Sequence, residues 1–294
     1  MYYLIYSLFY LLSLLPWRVL YLLSDGIYLL IYYVIGYRKK VVFDNIAVAF
    51  PEKSLAERTA IAKAFYRNFV DTFIETIKLV SISEQAFRKR LRINRDVLDQ
   101  VYASGKSIQI HSAHFFNWEF LNLGIAANTP YRWLGVFTPI SSKAFSRIMW
   151  DLRSKFGTVL IPATEFRTQF HQYARGQYSL GLVADQSPGS PMNAFWTKFF
   201  GRMTPFVKGP EKGAKNMDTA IVMADIYKIK RGYYQIDLSL LTMEPRETPD
   251  GYITKSLINF TEDCIRKRPD NYLWSHRRWK FPYDEEKYQH LVVD

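Results

Sequence analysis

Cysteine is nearly absent, with one residue, Cys264, in 294. A single thiol excludes an internal disulfide and points to a reducing compartment. Cys264 lies beside Glu262 and Asp263 in a stretch that reads as helix. That acidic setting gives no reason to read it as a nucleophile. Glycine-rich phosphate loops of either common type are missing, and no internal repeat is visible. No basic residue precedes the apolar stretch 1–15 and no small-residue cleavage site follows it, so a removed secretory leader is not expected. Clean apolar runs of ~20 residues are missing too. Pro16-Trp17-Arg18 interrupts the first apolar stretch, and Asp25-Gly26 lies near the middle of the second, 19–37. Acidic residues are in deficit, 27 against 39 Lys+Arg, for a formal charge of +12. Such a balance suits nucleic acid, an anionic membrane surface, a phosphorylated lipid or an acidic carrier protein.

Aromatic residues, in contrast, are abundant: 17% of the chain, with 21 Tyr and 21 Phe. An apolar ring with a wet edge fits a lipid–water interface. Two consecutive tyrosine-rich apolar segments followed by Arg38-Lys39-Lys40 predict that residues 1–40 anchor the protein to a membrane, as a short span or a re-entrant interfacial pair. The basic cluster belongs on the cytoplasmic side, which places the body, residues 41–294, in the cytoplasm. That body is long enough to bury one α/β core.

Ser54 and Glu57 form a capping box that opens a long helix, with Ile61, Phe65, Phe69, Phe73 and Ile77 as its expected core stripe. Strands are predicted at 107–113, 133–140, 158–162, 179–184, 219–227 and 233–241. Helices are predicted at 142–156, 164–175, 210–217 and 252–267. This alternation, with short and nearly continuous apolar strands, implies an α/β fold whose mainly parallel sheet is covered by helices on both faces. Loops at the carboxyl ends of its strands would form the active cleft.

One such loop carries His114-Phe115-Phe116-Asn117-Trp118-Glu119, directly after the strand at 107–113. On one continuous helix, five positions amount to about 500° of rotation and would leave the two side chains roughly 140° apart. His114 therefore belongs in the turn and Glu119 in the first turn of the following helix, where the carboxylate can reach a ring nitrogen. A carboxylate that fixes the tautomer and stabilises the imidazolium is what a general base requires. His111 does not make a metal pair with His114, because residues three apart in a strand face opposite sides and no Cys or Asp completes a ligand set. Ser112 has no evident claim as a nucleophile. Asp185 and Gln186 end a buried strand, where a carboxylate is costly unless paired. Asn117 either holds the histidine turn or caps the helix.

In order along the chain stand Asn45-Ile46, Phe50-Pro51-Glu52, the run from His114 to Glu119, Ala184-Asp185-Gln186-Ser187-Pro188-Gly189, Phe199-Phe200-Gly201-Arg202 and the run from Trp274 to Lys280. Together they resemble the lauroyl/myristoyl (late) acyltransferases of lipid A biosynthesis, from about Leu15 to about Lys280. The His-x4-acid box alone is shared with glycerolipid acyltransferases generally. The resemblance implies a glycerol-phosphate-acyltransferase-like fold and transfer of a fatty acyl chain from acyl carrier protein to a hydroxyl of a lipid A precursor. It also implies a protein at the cytoplasmic membrane that needs no metal or organic cofactor and binds no nucleic acid. His114 would be the base, oriented by Glu119. Arg153 resembles the arginine lining the family's active site, and pairing with Asp185 would aim it at the oxyanion or an acceptor phosphate. Arg153, Asp185, Gln186 and Asn117 are thus the expected substrate or oxyanion residues. Lys198, Arg202, Lys208, Arg277 and Arg278 are the expected headgroup or carrier contacts. Two other readings remain: an acyltransferase for another glycolipid or aminolipid, using a carrier or coenzyme A donor, and a non-enzymatic protein binding membrane surfaces or nucleic acid.

Overall fold

The computed structural model describes residues 2–293. Helices α1 (Tyr2–Leu14) and α2 (Trp17–Leu29) are divided by Pro16, which lacks an N–H and stands just ahead of the first turn of α2. The second continues as a π-helical segment, Leu30–Ile35, and stops at Gly36, whose φ of 65° suits a residue without Cβ. Next come α3 (Lys39–Ala49) and α4 (Leu55–Leu79). Both halves of the predicted capping box are present: Glu57 N donates to Ser54 Oγ at 3.3 Å and Ser54 N to Glu57 Oε2 at 2.8 Å.

The buried face of α4 differs from the expected stripe. Phe65 is fully buried, but Phe73 is half exposed, and Asn68, Asp71, Thr72 and Glu75 are buried instead. Steps of four residues advance about 400° each, so a line of i+4 positions winds around the helix and leaves the core within a few turns. The place of the missing apolar residues is taken by polar groups that hold the N-terminal helices. Ser24 Oγ donates to Asp71 at 2.6 Å, Tyr21 Oη to Glu75 at 3.0 Å, and Lys78 Nζ to the Ser13 and Leu15 carbonyls at 2.6 and 2.9 Å.

The remaining chain runs α5 (Glu84–Arg88), β1 (Leu91–Ile93), α6 (Asp96–Ala103), β2 (Ile108–Ser112), α7 (Trp118–Asn128), β3 (Arg132–Phe137), α8 (Lys143–Arg153), β4 (Val159–Pro162), α9 (Phe166–Tyr173) and β5 (Tyr178–Val183). After these come β6 (Ala194–Phe199), β7 (Arg202–Val207), α10 (Gly209–Met217), β8 (Ala220–Lys230), β9 (Tyr233–Thr242), α11 (Tyr252–Lys267) and α12 (Glu285–Tyr288). Seven strands form one sheet in the order β1-β9-β8-β2-β5-β3-β4. Every pairing is parallel except β8 with β9, which the Arg231-Gly232 turn joins. Both faces are apolar. Val222 and Ala224 of β8 join the cluster containing α4 and α7 residues, while Ile221 and Met223 pack with Ala214 of α10 and Leu257 of α11. The mainly parallel sheet with flanking helices is the expected architecture.

The hairpin of β6 and β7 was not anticipated. Its turn is Phe200-Gly201, with φ of 50° and 74°, and Phe199 pairs with Arg202 across it. Two successive positive φ values are what a tight hairpin of native twist demands. An aromatic residue in that conformation needs support. Phe200 N donates to Glu262 Oε2 at 2.8 Å and its ring packs on Phe50 and beneath the Arg266 guanidinium.

His111, in the middle of β2, is sealed in the core. With its amide oriented to donate to His111 Nε2 (2.9 Å) and the Pro210 carbonyl (3.1 Å), Gln109 also accepts from Ala214 N (3.0 Å). Burial pushes the His111 pKa down to about 4. Below the unfolded value of about 6.5, the unfolded chain therefore binds a proton that the native state refuses, and stability falls with decreasing pH until about 4. Each pH unit in that window should cost about 1.4 kcal/mol from this residue. Urea midpoints measured from pH 7 to 4.5 should decline less steeply for His111→Gln, whose amide oxygen can still accept from Gln109. Equal slopes would refute the assignment.

Candidate active site

Parallel register builds the centre of the site. Ser112 of β2 lies opposite Val183 of β5. Two residues beyond each strand end stand His114 and Asp185, and the same offset brings them together. Asp185 Oδ1 lies 2.6 Å from His114 Nδ1 and accepts from His114 N at 3.1 Å. Its other oxygen accepts from Tyr272 Oη at 2.9 Å. Tyr272 arrives on a segment that runs antiparallel to the histidine turn, with Leu273 N donating to the His114 carbonyl and Phe116 N to the Asn271 carbonyl, both at 3.1 Å. The Asp185 side chain is 2% exposed and that of His114 25%. Burial works against the Asp185 carboxylate, yet the charge and hydrogen bond of His114, the Tyr272 hydroxyl and the Arg278 charge hold it below the ordinary range. With Nδ1 donating to the carboxylate, Nε2 is the nitrogen left to exchange a proton.

The expected contact between His114 and Glu119 is therefore not made, and neither is that between Arg153 and Asp185. Partners are exchanged. Glu119 lies in the first turn of α7, as predicted, but it is taken by Arg153 at the end of α8. Arg153 Nε lies 3.0 Å from both carboxylate oxygens and Nη2 lies 2.6 Å from Oε1. A carboxylate only 3% exposed is held best by a permanent, two-pronged cation, and guanidinium meets that need where imidazole does not. The imidazole falls instead to the carboxylate that the sheet register supplies.

His114, Glu119 and Arg153 line one cleft of about 640 Å³, which also contains Gln186, while Asp185 lies buried behind His114. The floor of the cleft is apolar, formed by Leu121 of α7 with Ile110, Trp133, Leu160 and Leu182 of β2, β3, β4 and β5. Trp133 lies flat because Gly181 has no Cβ: one built there would stand 2.4 Å from the indole, whose Nε1 donates to Asn122 Oδ1 at 3.0 Å. A cleft of this size with few polar groups over an apolar floor takes a small apolar molecule or a chain. Ser112 Oγ donates to the Ala224 carbonyl at 2.8 Å, which commits it to β8.

Asn117 is fully buried and caps α7, so it is not a substrate contact. Its Oδ1 accepts from Glu119 N at 3.0 Å and Phe120 N at 3.4 Å, while Nδ2 donates to Glu75 Oε2 at 3.2 Å. Glu75 itself accepts from Tyr21 Oη, Gly232 N and Tyr234 Oη at 3.0, 3.1 and 2.7 Å. Four neutral donors thus saturate a fully buried carboxylate, whose pKa burial raises. Neither Glu75 nor Tyr272 was anticipated. The sequence signal for Glu75 was a charge placed between apolar residues of a helix, and Tyr272 carried none.

The expected basic contacts scatter. Arg202 and Arg277 share a second cavity with Lys40 and Lys280. Lys198 is exposed on β6, and Lys208 sits over the Phe195 ring ahead of α10. Arg278 is 1% exposed and cannot meet a headgroup: Nη1 donates to Ser187 Oγ at 3.1 Å, Nη2 to the Pro205 carbonyl at 2.9 Å, and its guanidinium lies 3.9 Å from the Phe206 ring centre. It pins the terminal segment to the Asp-Gln loop.

Residues 1–281 match the family model described as bacterial lipid A biosynthesis acyltransferase. No individually curated protein matches the chain.

The link between Glu75 and Asn117 has a polarity that can be tested. In Glu75→Gln the amide NH₂ must face either Gly232 N–H or Asn117 Nδ2, both fixed donors. Asn117 cannot turn without releasing two N–H groups of α7. The variant should lose about 1–3 kcal/mol of stability. Glu75→Gln combined with Asn117→Asp restores a donor facing an acceptor and should recover part of that loss in urea unfolding. Strict additivity of the two changes would show that the contact contributes nothing.

Proposed function

Because the chain belongs to the bacterial lipid A biosynthesis acyltransferase family, we propose that His114, oriented by Asp185, activates a hydroxyl of a lipid A precursor for attack on an acyl carrier protein thioester. Family membership makes the protein an O-acyltransferase and excludes the non-enzymatic alternative. The observation that supports the mechanism is the 2.6 Å contact between His114 Nδ1 and a carboxylate that is buried and doubly held. His114 Nε2 takes the hydroxyl proton, and Asp185 stabilises the resulting imidazolium. The alkoxide attacks the thioester carbonyl. The tetrahedral intermediate then expels the carrier thiolate, which recovers the proton from His114 as the ester forms. Arg153, fixed by Glu119, stands in the same cleft as a cation for the developing oxyanion. The apolar floor, with Trp133 across it, accepts the fatty chain. No nucleophilic residue, metal or organic cofactor takes part in this route.

Membrane attachment through residues 1–40, with the body 41–294 on the cytoplasmic side of the inner membrane, completes the reading. The segment Trp17–Ile35 is long and apolar enough to cross a bilayer. Its polar positions, however, are occupied by the body: besides the Tyr21 and Ser24 contacts, Asp25 pairs with Arg231 at 2.7 Å. Its other side is open, with Leu22, Val34 and Ile35 each more than 60% exposed, as are Tyr3, Leu4 and Leu11 of α1. One greasy side and one committed side favour a pair of helices lying in the interface over a span.

His114→Ala should nearly abolish transfer from a radiolabelled acyl carrier to a tetra-acylated disaccharide, with circular dichroism unchanged; a fully active variant refutes the base. Asp185→Asn should lower kcat by about 10²–10⁴-fold, because the ring loses its orienting carboxylate. Glu119→Gln retains His114 and should cost less. The reverse ranking would return the orienting role to Glu119. For attachment, exchanging Leu4, Leu22 and Val34 for Gln should release the protein into the soluble fraction without altering its fold. Retention of that variant in carbonate-washed membranes would argue for a span.

A further inference from the structure

We propose that the second cavity, framed by Lys40, Arg202, Arg277 and Lys280, binds a phosphate group of the membrane-borne acceptor; this rests on the acyl-transfer reading above. The cavity measures about 630 Å³, and its charged lining is four cations against one carboxylate, Asp44. Asp44 is paired with Lys40 at 2.8 Å. Among the described residues no carboxylate forms an ion pair with Arg202, Arg277 or Lys280. Two arginines without a carboxylate partner beside one concavity match a phosphate monoester, whose oxygens can accept from both forks of a guanidinium.

The frame is pinned on three sides. Asn45 of α3 donates from Nδ2 to the carbonyls of Trp274 and His276, both at 2.7 Å. Arg202 leaves the tight Phe200-Gly201 turn, and buried Arg278 fastens the segment that carries Arg277 and Lys280. Trp279 stacks on Phe199 with ring centres 5.6 Å apart, which makes one wall rigid.

Position selects the ligand. On one side, Lys40 follows Ile35, the last residue of the exposed apolar segment, by five residues, which span at most about 18 Å. On the other, Arg277 follows Leu273, a wall of the catalytic cleft, by four residues, or at most about 14 Å. The cavity is thus within about 18 Å of the proposed bilayer contact and has one lining residue within about 14 Å of a wall of the cleft, which is the reach of a sugar-sized headgroup. All four cations are exposed to solvent, yet they border one concavity of about 630 Å³, the scale of a single phosphate-bearing headgroup.

The test compares acceptors that differ only in phosphate, in neutral detergent. Wild type should acylate the phosphorylated acceptor with a kcat/KM about 10-fold or more above that of the dephosphorylated one. In Arg202→Ser/Arg277→Ser this preference should vanish through a rise in KM. Equal preference in wild type and variant overturns the proposal, and so does a rise in KM for the acyl carrier alone. Loss of binding to vesicles of anionic phospholipid, with acceptor preference intact, would also overturn it by reducing the cavity to a general membrane contact. Absence of any transfer by wild type would instead sink the acyl-transfer reading. A readout independent of turnover then decides for the cavity: saturation-transfer NMR should detect glucosamine 1-phosphate but not glucosamine on wild type, and neither on the variant. Absence of signal from wild type overturns the site.

Discussion

Asp185 is a carboxylate at the end of a buried strand, and taking such a charge out of water costs several kcal/mol unless the surroundings replace its hydration. Three donors do so: the His114 ring, the His114 backbone N–H and the Tyr272 hydroxyl. They come from two separate stretches of chain, so the carboxylate can be buried only once β2, β5 and the segment at 271–273 are all in place. The orientation of the imidazole follows from that requirement. Its angle is set by the ladder between β2 and β5 and by the His114 backbone N–H, which donates to the same Asp185 oxygen and leaves little freedom for the ring.

Several buried carboxylates surround the cleft, and the chemistry of their partners separates their roles. Asp185 faces an imidazole, a partner whose second nitrogen can exchange a proton with a substrate. Glu119 faces a guanidinium, which cannot; that pair fixes a charge in space. Glu75 accepts from hydroxyl, amide and backbone donors alone and serves to hold Tyr21, Asn117, Gly232 and Tyr234 against one another. Had the cation paired with Asp185 and the imidazole with Glu119, as expected from the sequence, the imidazole would have depended on a helix turn for its alignment. Alignment from adjacent strands of a sheet is stiffer.

Much of this was legible in the chain. The alternation of short apolar strands with helices gave the sheet, the capping box gave the start of α4, and the position of His114 and Glu119 around a strand-to-helix turn was read correctly. The pairing was not, because spacing along one segment says nothing about which strand lies alongside. The clue was present in two segments: each places a titratable residue just past an apolar strand, and adjacent parallel strands bring such residues together. The polar face of α4 was missed because its i+4 hydrophobic line was taken for a face. The hairpin at 194–207 was missed because an aromatic residue occupies a turn position that favours Asn or Gly.

Those polar residues of α4 carry a further consequence for how the protein meets its lipid substrates. If α2 left the body to cross a bilayer, Asp25 and Ser24 would enter hydrocarbon, Arg231 would keep only Asp71, and Glu75 would lose the Tyr21 donor. Each loss exposes or strands a polar group at a cost of about 1–3 kcal/mol. Keeping the helix docked avoids all of them and leaves its greasy side free for the proposed bilayer contact. Glu75 then joins that docked helix to Asn117, the cap of the helix that presents Glu119, so on the proposed reading the bilayer contact and the cleft belong to one stiff unit. An acceptor lying in the bilayer surface would thereby be met by a base at a fixed height above it, and selection among its hydroxyls would fall to whatever grips the headgroup.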